Sequence, residues 1–221
     1  MKNSIYLTGQ IKSMFFSRKK ELKCKLSLKN KSGTENFITV RFFEPTASYV
    51  VSRFRKNDFV RINAYAQSVR NIYTSKSSLE IWGLSIYPFM KKRDTELSTH
   101  KYTNNVYIEG NVSTVSVNGN FSYLTIYTKN KLGYNKKDFT SYVPIRVNVP
   151  SDFKIEKGDT VKIRGFIVEK LNADKKEYNR YIIPVTKTII KANENVSLVN
   201  DKIINNKKSR GKGKWRIKKQ F

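Results

Sequence analysis

The chain repeats itself at a spacing of about 101 residues, and an internal repeat of this kind settles architecture before any local pattern does. The segment Asn3-Ser-Ile-Tyr-Leu-Thr-Gly-Gln-Ile11 returns as Asn104-Asn-Val-Tyr-Ile-Glu-Gly-Asn-Val112. Lys56-Asn-Asp-Phe-Val-Arg-Ile-Asn-Ala64 returns as Lys157-Gly-Asp-Thr-Val-Lys-Ile-Arg-Gly165. Phe37-Ile-Thr-Val-Arg-Phe-Phe-Glu-Pro45 returns as Tyr142-Val-Pro-Ile-Arg-Val-Asn-Val-Pro150. The three matches are collinear, so one unit occurs twice. The opening segments alternate apolar and polar residues as strands do, and both carry glycine at the seventh place, Gly9 and Gly110. A glycine inside a strand predicts a bulge or a tight bend, as barrel corners need.

Period-2 runs predict strands at 3–12, 21–29, 37–43, 59–69 and 79–87 in the first copy. In the second they fall at 104–117, 121–129, 140–149, 160–170 and 178–190. Five short strands per copy suit a small Greek-key barrel. The expected fold class is therefore all-β, with two tandem OB-type barrels. The boundaries are 1–90 for the first barrel, 91–103 for a polar linker, 104–192 for the second barrel and 193–221 for a basic tail. Between strands, residues 46–54 place Ala47, Val50, Val51 and Phe54 at helical spacing behind a Ser/Thr-type cap. The second copy offers only Ser151-Asp-Phe-Lys-Ile there, too little for a comparable helix. From Lys202 onward there are nine Lys/Arg and no acidic residue. That tail cannot bury a core and is expected to be disordered when free.

Charge says little about fold but much about partners. The 44 Lys and Arg against 17 acidic residues leave a formal charge of +27, and aromatics make up 13% of the chain. Phosphates need cations and unpaired bases need flat rings, so the combination favours nucleic acid over an anionic membrane. No apolar run is long enough for a signal peptide or a membrane span. The single cysteine, Cys24, rules out an internal disulfide framework. These features predict a cytoplasmic protein. Cys24 alternates with Leu22, Leu26 and Leu28, which predicts a buried small hydrophobe.

The first copy resembles a bacterial single-stranded-DNA-binding protein of the OB-fold family. The resemblance rests on Asn3-x-Ile-x-Leu-x-Gly9, on Phe37-Ile-Thr-Val-Arg-Phe-Phe43, on Ala47 and Tyr49-Val-Val of the short helix, and on Arg55-Lys-Asn-Asp58 before Val60-Arg-Ile62. It covers about 85 residues, and the second copy carries it more faintly. It implies that Phe37, Thr39, Arg41 and Phe43 face the nucleic acid while Ile38, Val40 and Phe42 enter the core. Alternation along the strand independently separates the same two sets. In the second copy it turns Val143, Ile145 and Val147 inward and Tyr142, Pro144, Arg146 and Asn148 outward. The chain departs from the family in its ending, Lys214-Trp215-Arg-Ile-Lys-Lys-Gln-Phe221, where an acidic tip is usual. The tandem arrangement also departs from the common one-barrel subunit.

The candidate stacking rings are Phe37, Phe43, Tyr73 and Trp82 in the first copy and Phe121, Tyr123, Tyr127 and Tyr142 in the second. For each ring the structural alternative is core packing. Candidate phosphate partners are Arg41, Arg53, Arg61, Arg70, Lys76, Arg146, Lys162 and Arg180, each weighed against ordinary solvated surface. In the tail, Lys207, Lys208, Arg210, Lys212, Lys214, Trp215 and Arg216 add further cations and one ring. Their run around 209–214 is no phosphate-cradling loop, since no strand precedes it and no helix follows.

Little in the chain suggests catalysis. His100 is the only histidine and falls in the linker, no Cys/His metal spacing exists, and the carboxylates are scattered. No cofactor is expected. The expected partner is single-stranded DNA, bound without strong sequence preference, in replication, recombination or transfer of DNA, with a phage or other mobile element as the expected source. RNA is the alternative ligand, and a non-enzymatic scaffold role is the alternative function. A homodimer or higher oligomer is compatible with the family resemblance.

Overall fold

The two copies of the opening segment pair with each other. In a computed structural model, which describes residues 2–17, 21–29, 34–70, 77–89, 102–118, 121–132, 137–147, 155–172, 177–185 and 190–191, the first copy holds β1 (Lys2–Phe16), β2 (Leu22–Lys29), β3 (Glu35–Phe42), α1 (Thr46–Arg53), β4 (Phe59–Arg70) and β5 (Ser77–Pro88). The second copy holds β6 (Thr103–Asn118), β7 (Phe121–Leu132), β8 (Lys137–Val147), β9 (Thr160–Asn172), β10 (Glu177–Pro184) and the two-residue β11 (Ile190–Lys191). The strands join in the order β11-β9-β10-β8-β7-β6-β1-β2-β3-β5-β4, and the added pairings β1–β4 and β6–β9 close each copy into a barrel. Closure gives each of the five main strands of a barrel a partner on both sides, and the two-residue β11 adds to β9 alone. The barrels share one seam, the antiparallel β1–β6 pairing from Lys2↔Glu109 to Thr8↔Thr103. Ile5 lies opposite Val106, its own repeat counterpart, so the duplication forms a two-fold contact inside one chain.

The repeated residues owe their positions to local chemistry. Asn3 is buried beside β4. Its Nδ2 donates to the Ala66 carbonyl at 2.7 Å, and its Oδ1 accepts from the Ala66 N–H at 2.9 Å. Asn104 does the same with Ile167, at 2.8 and 2.9 Å. Each amide side chain thus satisfies a strand donor and acceptor that would otherwise be buried unpaired. Gly9 and Gly110 are required by space. A Cβ at either position would run into a neighbouring carbonyl oxygen, that of Ser27 or Tyr127. The expected irregularity lies just beyond them, as register shifts at Ile11/Ser13 and Val112/Thr114.

The repeated turns also match. Asp58 Oδ2 accepts from the Arg55 N–H and Asp159 Oδ2 from the Glu156 N–H, both at 2.8 Å. The residue before each aspartate adopts positive φ, 75° at Asn57 and 97° at Gly158. Asparagine and glycine are the residues that tolerate that region.

Each barrel fills with the inward half of its alternating strands. Ile38, Val40, Phe42, Val143, Ile145 and Val147 are all buried, as the alternation predicts. Cys24 is buried between Leu22 and Leu26, and desolvation pushes its thiol up to about 12. The thiolate is thus disfavoured in the folded state. Stability held below the ordinary thiol value of 9.0 falls as pH climbs towards 12. Alkylation of Cys24 at pH 8 is accordingly expected to be blocked in the folded protein and to proceed in urea. Rapid labelling of the folded chain, followed by mass spectrometry, would contradict this burial.

The helix departs from expectation in two respects. Ala47, Val50 and Phe54 are buried, but Val51 is 37% exposed because the helix covers the barrel end with one narrow stripe. No Ser/Thr side chain caps it. The position is taken by Pro45, while Glu44 accepts from the Ser48 N–H at 3.2 Å and from its hydroxyl at 2.8 Å. The expected 178–190 strand is divided between β10 and β11. No helix among the described residues is long and apolar enough to cross a membrane. Most of the 91–103 linker, the segment 151–154 and the 193–221 tail lie outside the described residues.

Candidate nucleic-acid interface

Strand register builds a row across the first barrel. Phe15 of β1 lies opposite Lys23 of β2, Lys23 opposite Arg41 of β3, and Arg41 opposite Trp82 of β5. The neighbouring row is Ser13, Lys25 and Thr39. These side chains face away from the core because Cys24, Leu26, Val40 and Phe42 take the inward positions. Phe15 is 52% exposed, and the Lys23 ammonium lies 5.6 Å from its ring centroid. The Lys25 ammonium sits 4.7 Å from the Phe37 ring. Phe43 is 50% exposed and stacks almost parallel on Trp82, with centroids 4.2 Å apart and planes at 9°.

The second barrel presents the same surface with a different content. Tyr123 of β7 lies opposite Arg146 of β8, Thr125 opposite Pro144, and Tyr127 opposite Tyr142. Tyr127 and Tyr142 meet edge to face at 5.6 Å, and Tyr142 is 48% exposed. The Arg146 guanidinium lies 5.8 Å from the Tyr181 ring.

Three of the expected contacts are corrected. Arg41 donates through Nε and Nη2 to both oxygens of Glu80 at 2.8 Å, and through Nη1 to Glu21 at 2.8 Å. Arg180 donates to Glu80 at 2.7 Å, to Glu169 at 2.7 Å and to the Leu79 carbonyl at 3.2 Å. Glu169 in turn accepts from the Thr39 N–H at 3.0 Å and hydroxyl at 3.1 Å. Thr39, Arg41 and Arg180 thus already have carboxylate partners within the protein. These groups form one nearly dry chain, Glu21–Arg41–Glu80–Arg180–Glu169, with side chains between 1% and 21% exposed. It crosses from the first copy to the second. Sequence alone could not reveal it, because its successive members are separated by 11 to 100 residues and join the two copies.

Trp82 is also corrected as an open stacker. It is 6% exposed beneath Phe43, and its indole N–H is buried with no partner among the described residues. Phe43 is the ring that meets solvent, with Trp82 as its base.

The remaining cations are distributed over several surfaces. Arg53 is exposed on the last turn of α1, 6.0 Å from the Tyr49 ring, and Arg70 is exposed at the end of β4. Arg61 and Lys162 are exposed on β4 and β9, which flank the β1–β6 seam. There Arg61 lies 5.1 Å from Phe89, and Tyr6 meets Tyr107 edge to face at 6.0 Å. The structure thus separates Arg61 and Lys162 from the Lys23–Lys25 face. The expectations for Tyr73, Lys76, Asn148, the side chain of Phe121, and Lys207, Lys208, Arg210, Lys212, Lys214, Trp215 and Arg216 lie outside the described residues.

Three contributors escape a sequence reading centred on 37–43, namely Phe15, Lys23 and Lys25. Their signal is present in β2, where the lysines alternate with the leucines that define the core.

Two closed five-stranded barrels, joined through their first strands and carrying rings and cations on their outer faces, define a tandem OB-fold protein. The single-stranded DNA binding protein from Thermus aquaticus has this architecture, with a TM-score of 0.58 and 12% identity over 88% of this chain and 94% of that one. A deletion mutant of the Thermus protein gives a TM-score of 0.56 at 13% identity, over 88% and 96% of the two chains. The likeness is one of fold. No protein-family model and no curated sequence matches the chain.

Proposed function

We propose that this protein binds and protects single-stranded DNA without strong sequence preference, as a binding protein rather than an enzyme. The observation that carries the reading is the placement of rings beside ammonium groups on barrel surfaces, Phe15 with Lys23 and Phe37 with Lys25. Unpaired bases can stack on any exposed ring face, while cations follow the phosphates without reading sequence. The formal charge of +27 supplies long-range attraction for the same ligand. The fold shared with the Thermus aquaticus protein supports the reading. The roles that follow are protection of single strands in DNA replication, recombination or transfer, with a phage or mobile element as the proposed context.

The test is an anisotropy titration of labelled dT oligonucleotides of several lengths at several salt concentrations. Two barrels should occlude roughly 8–32 nucleotides, at about 4–16 per barrel. Log Kobs should fall linearly with log salt, by about 0.7 per phosphate neutralised. Phe43→Ala should weaken binding by about 1–3 kcal/mol. Failure to bind dT at low salt would sink the proposal, and tighter binding of poly-U than of poly-dT would move it to RNA.

A further inference from the structure

The two outer faces are built on one backbone plan but hold different chemistry at equivalent positions. Lys23 and Tyr123 each lie opposite the arginine of the next strand, Arg41 and Arg146. Lys25 and Thr125 lie one pleat further along, opposite Thr39 and Pro144. One pleat beyond those, Ser27 and Tyr127 lie opposite Phe37 and Tyr142. The middle strand of the first barrel thus displays two ammonium groups where that of the second displays a tyrosine and a threonine, and the second adds another tyrosine where the first has serine.

This difference has a physical consequence. Neutralising phosphates releases counterions, so that part of the affinity depends steeply on salt. Ring–base stacking is short-ranged and carries no net charge, so it contributes at any ionic strength. We infer that the two barrels divide the work. The first, through Lys23 and Lys25 beside Phe15 and Phe37, adds a salt-dependent hold on the backbone that the second lacks at the equivalent positions. The second, through Tyr123, Tyr127 and Tyr142, adds stacking that survives high salt, beyond that of Phe15, Phe37 and Phe43 in the first. This inference rests on the single-strand reading above and assigns a separate role to each copy of the repeat.

The full chain and two double variants, titrated with labelled dT across a range of NaCl, test it. Lys23→Gln with Lys25→Gln should flatten the log–log salt slope by about 1.4, two phosphates at about 0.7 each, and converge on the parent at high salt. Tyr123→Thr with Tyr127→Thr should leave the slope unchanged and weaken binding at every salt concentration by roughly thirty-fold or more. Tyr123→Phe with Tyr127→Phe keeps the rings and should restore affinity, which separates stacking from loss of the hydroxyls. Equal effects of the lysine and threonine variants on slope and affinity would overturn the division. If the threonine variant does not fold, photocrosslinking of bromo-dU oligonucleotides to the unaltered protein decides. Adducts on the 121–147 region are expected, and adducts confined to the first copy overturn the inference. Loss of dT binding by the unaltered chain would instead overturn the single-strand reading itself.

Discussion

Replacing Glu80 by alanine is expected to destabilise the protein by about 3–5 kcal/mol, because it removes the buried carboxylate that two partly buried guanidinium groups share. Glu80 is 8% exposed and accepts from Arg41 and Arg180 at 2.7–2.8 Å. Its Oε1 also accepts from the Ser78 hydroxyl at 3.1 Å. Water cannot replace these contacts in so enclosed a place, and the remaining partners, Glu21 and Glu169, reach only one arginine each. For a folded region of this size the loss corresponds to a fall of about 6–20 °C in melting temperature. The effect should reach both barrels, because Arg180 belongs to the second copy and Arg41 to the first. Differential scanning calorimetry checks this. A melting temperature within a degree or two of the parent would show that the charge chain does not tie the barrels together. Glu80→Gln, which keeps the shape and removes the charge, should lie between the two.

The second large effect concerns Phe42 and Gly83. Phe42 is fully buried, and Phe42→Ala should cost about 3–5 kcal/mol through lost burial and the cavity left behind. Gly83 lies against that ring so closely that a Cβ would overlap the aromatic carbons. Gly83→Ala alone is therefore expected to cost about 1–3 kcal/mol through overpacking. The two sites should not be additive. Phe42→Leu shrinks the side chain that an alanine at 83 would strike, so the double variant should be more stable than the sum of the singles implies, by about 0.5–3 kcal/mol. Urea denaturation of the four proteins measures this cycle. Strict additivity would mean that the ring and the glycine are not in contact.

Much of the architecture was legible in the chain because a duplicated barrel repeats its constraints. Asn3 and Asn104 recur since each must satisfy a buried strand donor and acceptor. Gly9 and Gly110 recur since a carbonyl crosses both. The Asn57-Asp58 and Gly158-Asp159 turns recur since both need positive φ followed by a carboxylate that closes the turn. Alternation separated the inward Ile38, Val40 and Phe42 from their neighbours because strand side chains point to opposite faces by covalent geometry.

Which outward residues meet solvent was a different question, and strand period does not answer it. Arg41 and Arg180 have the composition of phosphate ligands, yet Glu21, Glu80 and Glu169 enclose them. Trp82 has the composition of a stacking platform, yet Phe43 covers it. By contrast Phe15, Lys23 and Lys25 join the face through β1–β2–β3 pairing, which brings together partners some 8 to 18 residues apart. The sequence by itself determined the repeat, the strands, the turns and the apolar interior, because each depends on neighbours a few residues away. Only the tertiary structure decided which cations are already paired, which rings are covered and that the copies join through β1 and β6. Those outcomes depend on charges and surfaces meeting across distances that no local pattern encodes.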